Sequence, residues 1–488
     1  MNKKMKFWSI VFLTINSIIG TGIFLSPGGV TKQAGSMAPF IYLCAAVFAA
    51  VLAVTFAAAS KYVVKNGAAY SYAKAAFGTN TGMFIGVTRY VSASIAWGVM
   101  ATGVVKNALS ILGMDSKNLV NVTVGFLVLM LILFIINVKG TAFLTLISDL
   151  STAGKVAALA ITIVAGIVII IMTGENHITD VDMLKNAEGG ALIPEMDATM
   201  FVTAIISAFY AFTGFESVAS GASDMENPEK NLPRAIPLAI GIIAAIYFGI
   251  VLVAMMINPV ALVQSDEVVI LAAVFGNKII RGIIIIGALI SMFGINVASS
   301  FHAPRVCEAM AKDGILPAFL GKRNSKDIPM NAFILTAALA IVVPMSFMYD
   351  MQGIMIISSI ARFAQFIIVP LGVIVFFMGK QKEEIIDAKK NVITDVVLPI
   401  ISVALTVLLL YKFNWKGQFS VTGEDGVAHL NWYAITAMII GYVILPIVAY
   451  FHLNSKRNKI NEMLSHSHSL KIDFVNYVIK FKRFVAMG

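Results

Sequence analysis

Charge is scarce in this chain. Only 13% of its 488 residues are Asp, Glu, Lys or Arg, against about 25% in a soluble domain. That deficit excludes an ordinary water-soluble globule. Cysteine is nearly absent. Cys44 and Cys307 each lie in or beside an apolar stretch, which excludes a disulfide framework and a cysteine-ligated metal centre. No G-x-x-x-x-G-K-[ST] run is present, which argues against an ATP-driven pump. Neither H-E-x-x-H nor G-x-S-x-G occurs, which argues against a membrane hydrolase. His177 and His429 fall in expected external loops, and His302 stands alone near the inner part of one apolar run. His466 and His468 are too few to argue for a metal site. No cofactor is implied.

Apolar residues make up 59% of the chain, with mean hydropathy +0.87. A helix needs about 20 apolar residues to cross the bilayer core, and runs of that length recur throughout. The pattern predicts an all-α integral membrane protein with twelve spans, at about 8–31, 39–62, 81–112, 119–138, 145–173, 199–222, 235–258, 279–306, 329–349, 353–378, 394–411 and 432–453. The Lys-rich start followed by an apolar run imitates a signal peptide, but no small-residue cleavage site follows it. It reads as a retained first span. The linkers leave no room for a separate soluble domain, and the longest external loop, 174–198, is mostly acidic.

The net charge of +10 would point to nucleic acid in a soluble protein. Here its distribution sets topology instead. With both termini in the cytoplasm, about 25 of the 36 basic residues fall inside and about 8 outside, as the positive-inside rule requires. The expectation is a multi-pass protein of the cell membrane whose surroundings are lipid rather than nucleic acid. The basic tail at 471–484 reads equally as a helix lying on the anionic inner leaflet or as a partly disordered segment.

The first span contains NSIIGTGIFLSPG, residues 16–28. Each glycine inside a helix costs about 1 kcal/mol relative to alanine, so Gly20 and Gly22 mark a weak point. The sixth span, FVTAIISAFYAFTGFESVASGAS, carries Thr213-Gly214. Thr21-Gly22 lies about 14 residues from the cytoplasmic start of its span, and Thr213-Gly214 about 14 residues from the external start of its own. Both weak points fall near the midplane, approached from opposite sides. This is the pattern of an inverted-repeat transporter with discontinuous helices. Unwound backbone survives at that depth only where it lines a cavity. There, freed N–H groups hold a carboxylate and freed carbonyls an ammonium, a combination suited to an α-amino acid. The competing reading is that the glycines only allow close helix packing. A channel would need a continuous polar stripe, which broken, occludable helices do not supply.

At these residues the chain resembles the amino acid–polyamine–organocation superfamily of permeases, with the leucine-transporter fold. NSIIGTGIF is similar to the family's first-helix glycine motif and FYAFTGFES to its broken sixth helix. ENPEKNLPRAIP (226–237) and AMAKDGILP (309–317) are similar to the loops after spans six and eight. The chain departs at NGAAYSYAKAAFG (66–78), where the family more often has a Gly-Gly pair and this sequence has Gly67, Ala68 and Ala69. The resemblance implies a 5+5 inverted repeat with discontinuous helices 1 and 6, plus two additional C-terminal helices. The organisation is then 1–175 and 176–380 for the two repeats, 381–454 for spans eleven and twelve, and 455–488 for a cytoplasmic tail.

It also implies the site. The N–H groups around Gly20, Thr21 and Gly22 would bind the carboxylate. The carbonyls of Ile18, Tyr210 and Thr213 would bind the amine, with the Tyr210 ring as an outer lid. Ser92, Ala96, Trp97 and Met100 on span three align with side-chain pocket positions, where Trp97 and Met100 read equally as ordinary packing.

Four ionisable residues, Arg89, Lys155, Glu216 and Arg362, fall inside spans, where charge is costly and usually functional. Lys155 lies about ten residues into span five, roughly 15 Å deep. In the resemblance it occupies the region where sodium-coupled relatives bind sodium, so it argues against sodium and makes the proton the expected coupling ion. Ser299 and Ser300 are expected to line the same region. Glu216 and Arg89 lie at matching depths, roughly 11–12 Å from the cytoplasmic side, and are expected to pair as an inner gate. Arg362 has no obvious acidic partner in sequence. It either faces the pocket beside Ser358 and Ser359, favouring an acidic substrate side chain, or caps carbonyls of a neighbouring helix. The expected function is sodium-independent secondary transport of an amino acid, with proton symport and exchange, including amino acid for amine, both open.

Overall fold

The computed structural model describes residues 4–458, except 21, 187–188, 266–268, 347–348, 350, 414, 416–418, 423–427 and 456–457. The side chains at 25, 351–361, 421–422, 428, 433–434 and 437 are likewise outside the description. The tail at 471–484, with His466 and His468, therefore lies outside the described residues, as do Thr21 and the side chains of Ser358 and Ser359.

The architecture is helical apart from a hairpin pairing Ser420–Thr422 with Ala428–Leu430. Among the described residues, eight helical segments are long and apolar enough to cross a membrane, and four shorter apolar helices accompany them. In chain order the helices that matter here are α1 (Phe7–Ile18), α2 (Gly22–Ala34), α3 (Ala38–Tyr62), α4 (Ala69–Phe77), α5 (Thr79–Ile111), α6 (Leu119–Val138), α7 (Thr141–Thr173), α8 (Ala198–Phe209), α9 (Pro228–Ile257), α10 (Pro259–Gln264), α11 (Ile270–Ala273), α12 (Lys278–Lys312), α13 (Met330–Ser346), α14 (Met351–Met378), α15 (Leu398–Lys412) and α16 (Trp432–Ile439).

Local chemistry sets the ends. Asn118 and Asn277 accept hydrogen bonds from the first free N–H groups of α6 and α12, and Asp197 does so for α8. Gly174 closes α7 in the left-handed conformation, donating its N–H to the Ile170 carbonyl at 2.9 Å. Outward faces such as Val120, Val124, Leu127 and Leu131 on α6 are exposed and apolar, as a lipid-facing surface demands.

The packing is reciprocal. α3 lies against α9 and α5 against α12. α1 packs on α9 while α8 packs on α3, and α7 packs on α12 while α14 packs on α5. When α1, α3, α5 and α7 are matched in turn with α8, α9, α12 and α14, the α1–α9 contact exchanges with α8–α3 and α7–α12 with α14–α5, while α3–α9 and α5–α12 map onto themselves. At the rim, the carboxylate of Asp395 is fully buried and takes hydrogen bonds from Lys61 Nζ and the Tyr62 hydroxyl, each at 2.7 Å. That contact pins the segment leading into α15 onto the end of α3.

Three elements differ from the sequence expectation. The loop between spans two and three contains α4, whose Tyr70 and Tyr72 are buried. The connection after α9 folds into α10 and α11, which pack on α2. Both are too short to register as spans. The second half of span six, Phe215–Asp224, is wound as a 3-10 helix rather than an α-helix, with Gly221 outside helical geometry.

Candidate functional site

α1 stops at Ile18. Ile19 is extended (ψ 97°), and the helix resumes as α2 at Gly22. α8 stops at Phe209, tightens into the 3-10 turn Tyr210–Phe212, becomes extended at Thr213 (ψ 150°), and turns at Gly214 (φ 128°). The two interruptions touch. A Cβ at Gly214 would lie 2.1 Å from the Ser17 carbonyl oxygen, and one at Gly22 would lie 3.1 Å from the Ala211 Cα. Gly214 therefore meets two demands at once, a positive φ and a close backbone approach.

Beside this crossing lies a cavity of about 290 Å³. Its wall includes Ile18, Gly20, Gly22, Tyr210 and Thr213 from the breaks, Arg89, Ala96 and Met100 from α5, Ser299 and His302 from α12, and Arg362 from α14. Most residues singled out in the sequence thus converge on one cavity. Ser92 and Trp97 do not line it. α5 brings Arg89, Ala93, Ala96, Val99 and Met100 to the cavity, and Ser92 and Trp97 are packed away from it. Both are fully buried, and Trp97 packs on Phe333 with ring centroids 5.9 Å apart. The Tyr210 carbonyl, expected to face an amine, already accepts the Thr213 hydroxyl at 2.9 Å.

Lys155 sits behind the wall, fully buried. Its ammonium donates to the carbonyl of Ile19 at 2.5 Å and lies 3.3 Å from that of Ser291 and 3.5 Å from that of Asn16. The Ser291 hydroxyl lies 2.9 Å from the Ile19 carbonyl and 3.0 Å from that of Gly20. Together Lys155 and Ser291 satisfy carbonyls that the helix break strands in the membrane interior. Asn16 braces the same region, donating to Ser148 Oγ and accepting from Ser151 Oγ, each at 3.0 Å. Gly294 leaves the space for this cluster, since a Cβ there would lie 2.0 Å from Ser151 Oγ and 2.4 Å from Asn16 Oδ1. Ser291, rather than Ser299 or Ser300, is the α12 hydroxyl beside Lys155. Ser299 faces the cavity, and Ser300 accepts a hydrogen bond from Asn137 Nδ2 at 2.9 Å.

Glu216 is also fully buried. Its Oε2 accepts the Gly214 N–H at 2.7 Å. Its Oε1 lies 3.4 Å from Arg362 Nε and 3.9 Å from Arg89 Nη2. Arg362 therefore has the acidic partner that its sequence neighbourhood did not reveal, and it is closer than the expected partner Arg89. Arg362 Nη1 also donates to Thr213 Oγ1 at 2.8 Å, and Arg89 donates to Ser217 Oγ.

His302 was a lone residue in the sequence, and the structure puts it on the cavity wall. Ser17 Oγ donates to the Leu13 carbonyl at 2.7 Å, so its contact with His302 Nε2 at 2.8 Å has the imidazole as donor. That leaves Nδ1 of the neutral ring as the acceptor nitrogen, and no protein partner reaches it among the described residues. Sequence reasoning also missed Asp149 on α7, which accepts the Ser9 hydroxyl at 2.8 Å.

A second polar layer closes the end of the cavity nearest the chain's N-terminus. Asp224 binds Arg305 at 2.5 Å and Arg323 at 2.7 Å, and Glu308 binds Arg323 at 2.5 Å and Lys312 at 2.6 Å. Burial works against the charge on Arg323, but Glu308 and Asp224 more than offset it and hold the guanidinium above its ordinary range. Met5 threads below, donating its N–H to the Asp224 carbonyl and accepting that of Glu226. Ser220 and Val306, one turn from Asp224 and next to Arg305, line the cavity, so this layer is its floor. Of these charges only Lys312 falls inside a stretch whose similarity to a family loop was legible, AMAKDGILP; Asp224, Arg305, Glu308 and Arg323 lie outside both such stretches, and their mutual pairing had no signature in the sequence.

A family model described as amino acid permease matches residues 5–445. The chain belongs to this family of permeases, within the amino acid–polyamine–organocation superfamily. The permease is 41% identical over 460 residues to the "Uncharacterized transporter Rv1979c" of Mycobacterium tuberculosis, covering 92% of this chain and 94% of that one. It is 28% identical over 386 residues to the branched-chain amino acid permease BcaP of Lactococcus lactis, covering 74% and 79%. It is 27% identical over 347 residues to the large neutral amino acids transporter small subunit 2 of Mus musculus, covering 69% and 63%. The permease is a multi-span membrane protein of a transporter family, and these relatives are named as transporters rather than enzymes.

Proposed function

We propose that this permease carries an amino acid across the cell membrane by alternating access, without sodium and with the proton as the coupling ion. The observation that carries this reading is the meeting of two broken helices at one cavity, with a buried ammonium on the carbonyls that one break exposes. The α2 N-terminus at Gly20–Gly22 is suited to the substrate carboxylate, and the free end of α1 at Ile18 to the ammonium. Carbonyl oxygens crowded around one point make a cation site, and Lys155 occupies it with a covalently tethered charge. A sodium ion is then redundant there, and a lysine that gains and loses a proton links that site to a pH gradient. The names of the relatives, a branched-chain permease and a large neutral amino acid transporter, support the α-amino acid as the common substrate element.

The reciprocal packing of α3 with α9, α5 with α12, and α7–α12 with α5–α14 favours a twelve-span organisation. In it, 1–175 and 176–380 are inverted repeats, 381–454 adds two spans, and both termini face the cytoplasm. The Asp224–Arg305–Arg323–Glu308 layer is then the closed cytoplasmic floor, and Glu216 with Arg89 and Arg362 the inner gate beneath the substrate.

Purified protein in proteoliposomes, loaded with an unlabelled amino-acid mixture and offered labelled members of it, tests the reading. Saturable counterflow in sodium-free buffer is expected. Absence of counterflow for every amino acid contradicts it.

A further inference from the structure

The charges on the cavity wall do not balance. Among the described residues, the lining holds two guanidinium groups, Arg89 and Arg362, and no carboxylate. The one carboxylate bridged to either, Glu216, is fully buried behind the wall. Both arginines lie within 4 Å of the same oxygen of that carboxylate, whose other oxygen is occupied by the Gly214 N–H. One negative charge thus serves two largely buried positive ones. An uncompensated buried charge is strongly unfavourable, and a planar guanidinium is the side chain best shaped to take up a carboxylate.

The geometry of the cavity points to the missing charge. The breaks at Gly20–Gly22 and Ile18 are neutral backbone, matched to the α-carboxylate and α-ammonium of any amino acid, and these two charges cancel. The excess positive charge lies elsewhere, on α5 and α14, alongside the Ser217 hydroxyl and the His302 ring. Ala96 and Ala298 on the same cavity wall are small, which leaves room for a short polar side chain beside the guanidinium groups. The cavity, at about 290 Å³, is at the small end of ligand pockets.

We propose that Arg362, with Arg89, selects amino acids whose side chain carries a carboxylate, so that substrate brings the second negative charge to the pair of arginines. The proposal rests on the amino-acid transport reading and narrows it to a substrate class. Arg362 is the specificity-determining residue of the two, since it is one-fifth exposed and already reaches Thr213 in the second break. Arg89 is more deeply buried and tied to Ser217.

Labelled L-glutamate and L-glutamine, nearly identical in shape and different in charge, decide it in proteoliposomes containing the full-length protein. The wild type is expected to take up glutamate with a KM at least tenfold lower than that for glutamine. Whatever its effect on the overall rate, Arg362→Gln is expected to abolish the preference, bringing the glutamate and glutamine KM values within threefold of each other, and Arg362→Lys to restore part of it. Should Arg362→Gln fail to fold, the wild-type comparison alone decides. Glutamine or leucine uptake equal to or better than glutamate uptake overturns the acidic-substrate proposal and leaves transport intact. Uptake of no amino acid at all overturns both.

Discussion

The ammonium of Lys155 lies 2.5 Å from the carbonyl oxygen of Ile19, the residue at which the first helix breaks. A side chain from α7 thus completes the hydrogen bonding that α1 lost when its helix stopped. Among the described residues, Lys155 Nζ donates to three neutral carbonyls, those of Asn16, Ile19 and Ser291. Lys155→Met keeps much of the length and removes the donor. Each buried acceptor left bare costs about 1–3 kcal/mol. The expected outcome is a lower melting temperature in detergent together with loss of uptake. Retained wild-type uptake in this variant contradicts the assignment.

Glu216→Gln separates charge from shape. The amide oxygen of glutamine still accepts the Gly214 N–H, so the break keeps its form. The anion shared by Arg89 and Arg362 disappears. Uptake is expected to fall by roughly tenfold or more, equivalent to about 1.4 kcal/mol or more of lost transition-state stabilisation, and the thermal midpoint to fall as well, because Arg89 and Arg362 lose their shared counter-charge. A variant with unchanged rate and pH dependence removes Glu216 from the mechanism.

Gly214→Ala tests the crossing of the breaks. The added methyl would lie 2.1 Å from the Ser17 carbonyl oxygen, at a φ of 128° that alanine disfavours. Backbone on both sides must move, so uptake is expected to be abolished. Gly241→Ala on α9 meets nothing within 4 Å and serves as the silent control.

The floor of the cavity is held by Arg323, which binds Asp224 and Glu308 together. Arg323→Ala leaves each carboxylate with one cation, Arg305 or Lys312. Weakening this layer is expected to favour the state open to the cytoplasm. A cysteine placed at Ser220, directly above it, is then expected to react faster with a membrane-impermeant thiol reagent applied from that side. Equal labelling rates with and without Arg323 contradict the role.

Ala68 adopts φ 45° and ψ −113°, a conformation that suits glycine. It lies in the NGAAYSYAKAAFG stretch, directly after Gly67. Such strain costs about 1–3 kcal/mol, partly offset by the greater chain entropy of glycine. Ala68→Gly is expected to stabilise the protein by about 1 kcal/mol, read as a raised thermal midpoint with uptake unchanged.

The sequence shows where backbone is exposed better than it shows which side chains meet it. Gly20, Gly22 and Gly214 interrupt apolar runs, and the cost of glycine in a lipid-embedded helix makes the interruption visible. The face of α5 that meets the cavity was only partly legible. Ala96 and Met100 line the cavity whereas Ser92 and Trp97 do not, and the hydroxyls of α5 at Ser92, Ser94 and Thr102 lie off the cavity, so polarity gave no stripe to choose by. Ser291 and Gly294 look like ordinary small residues of α12, and only the third dimension brings them to Lys155. Arg362 and Glu216 are 146 residues apart in the chain, so their pairing had no local signature. His302 looked isolated because its partner, Ser17, lies 285 residues away on α1.

The most direct test of the account is uptake of a labelled amino-acid panel into sodium-free proteoliposomes, with and without an inward proton gradient. It should be made for the wild type and for Lys155→Met side by side. The account predicts saturable wild-type uptake that the proton gradient accelerates, that added sodium leaves unchanged, and that disappears with Lys155. Uptake that requires sodium and ignores the proton gradient would contradict it.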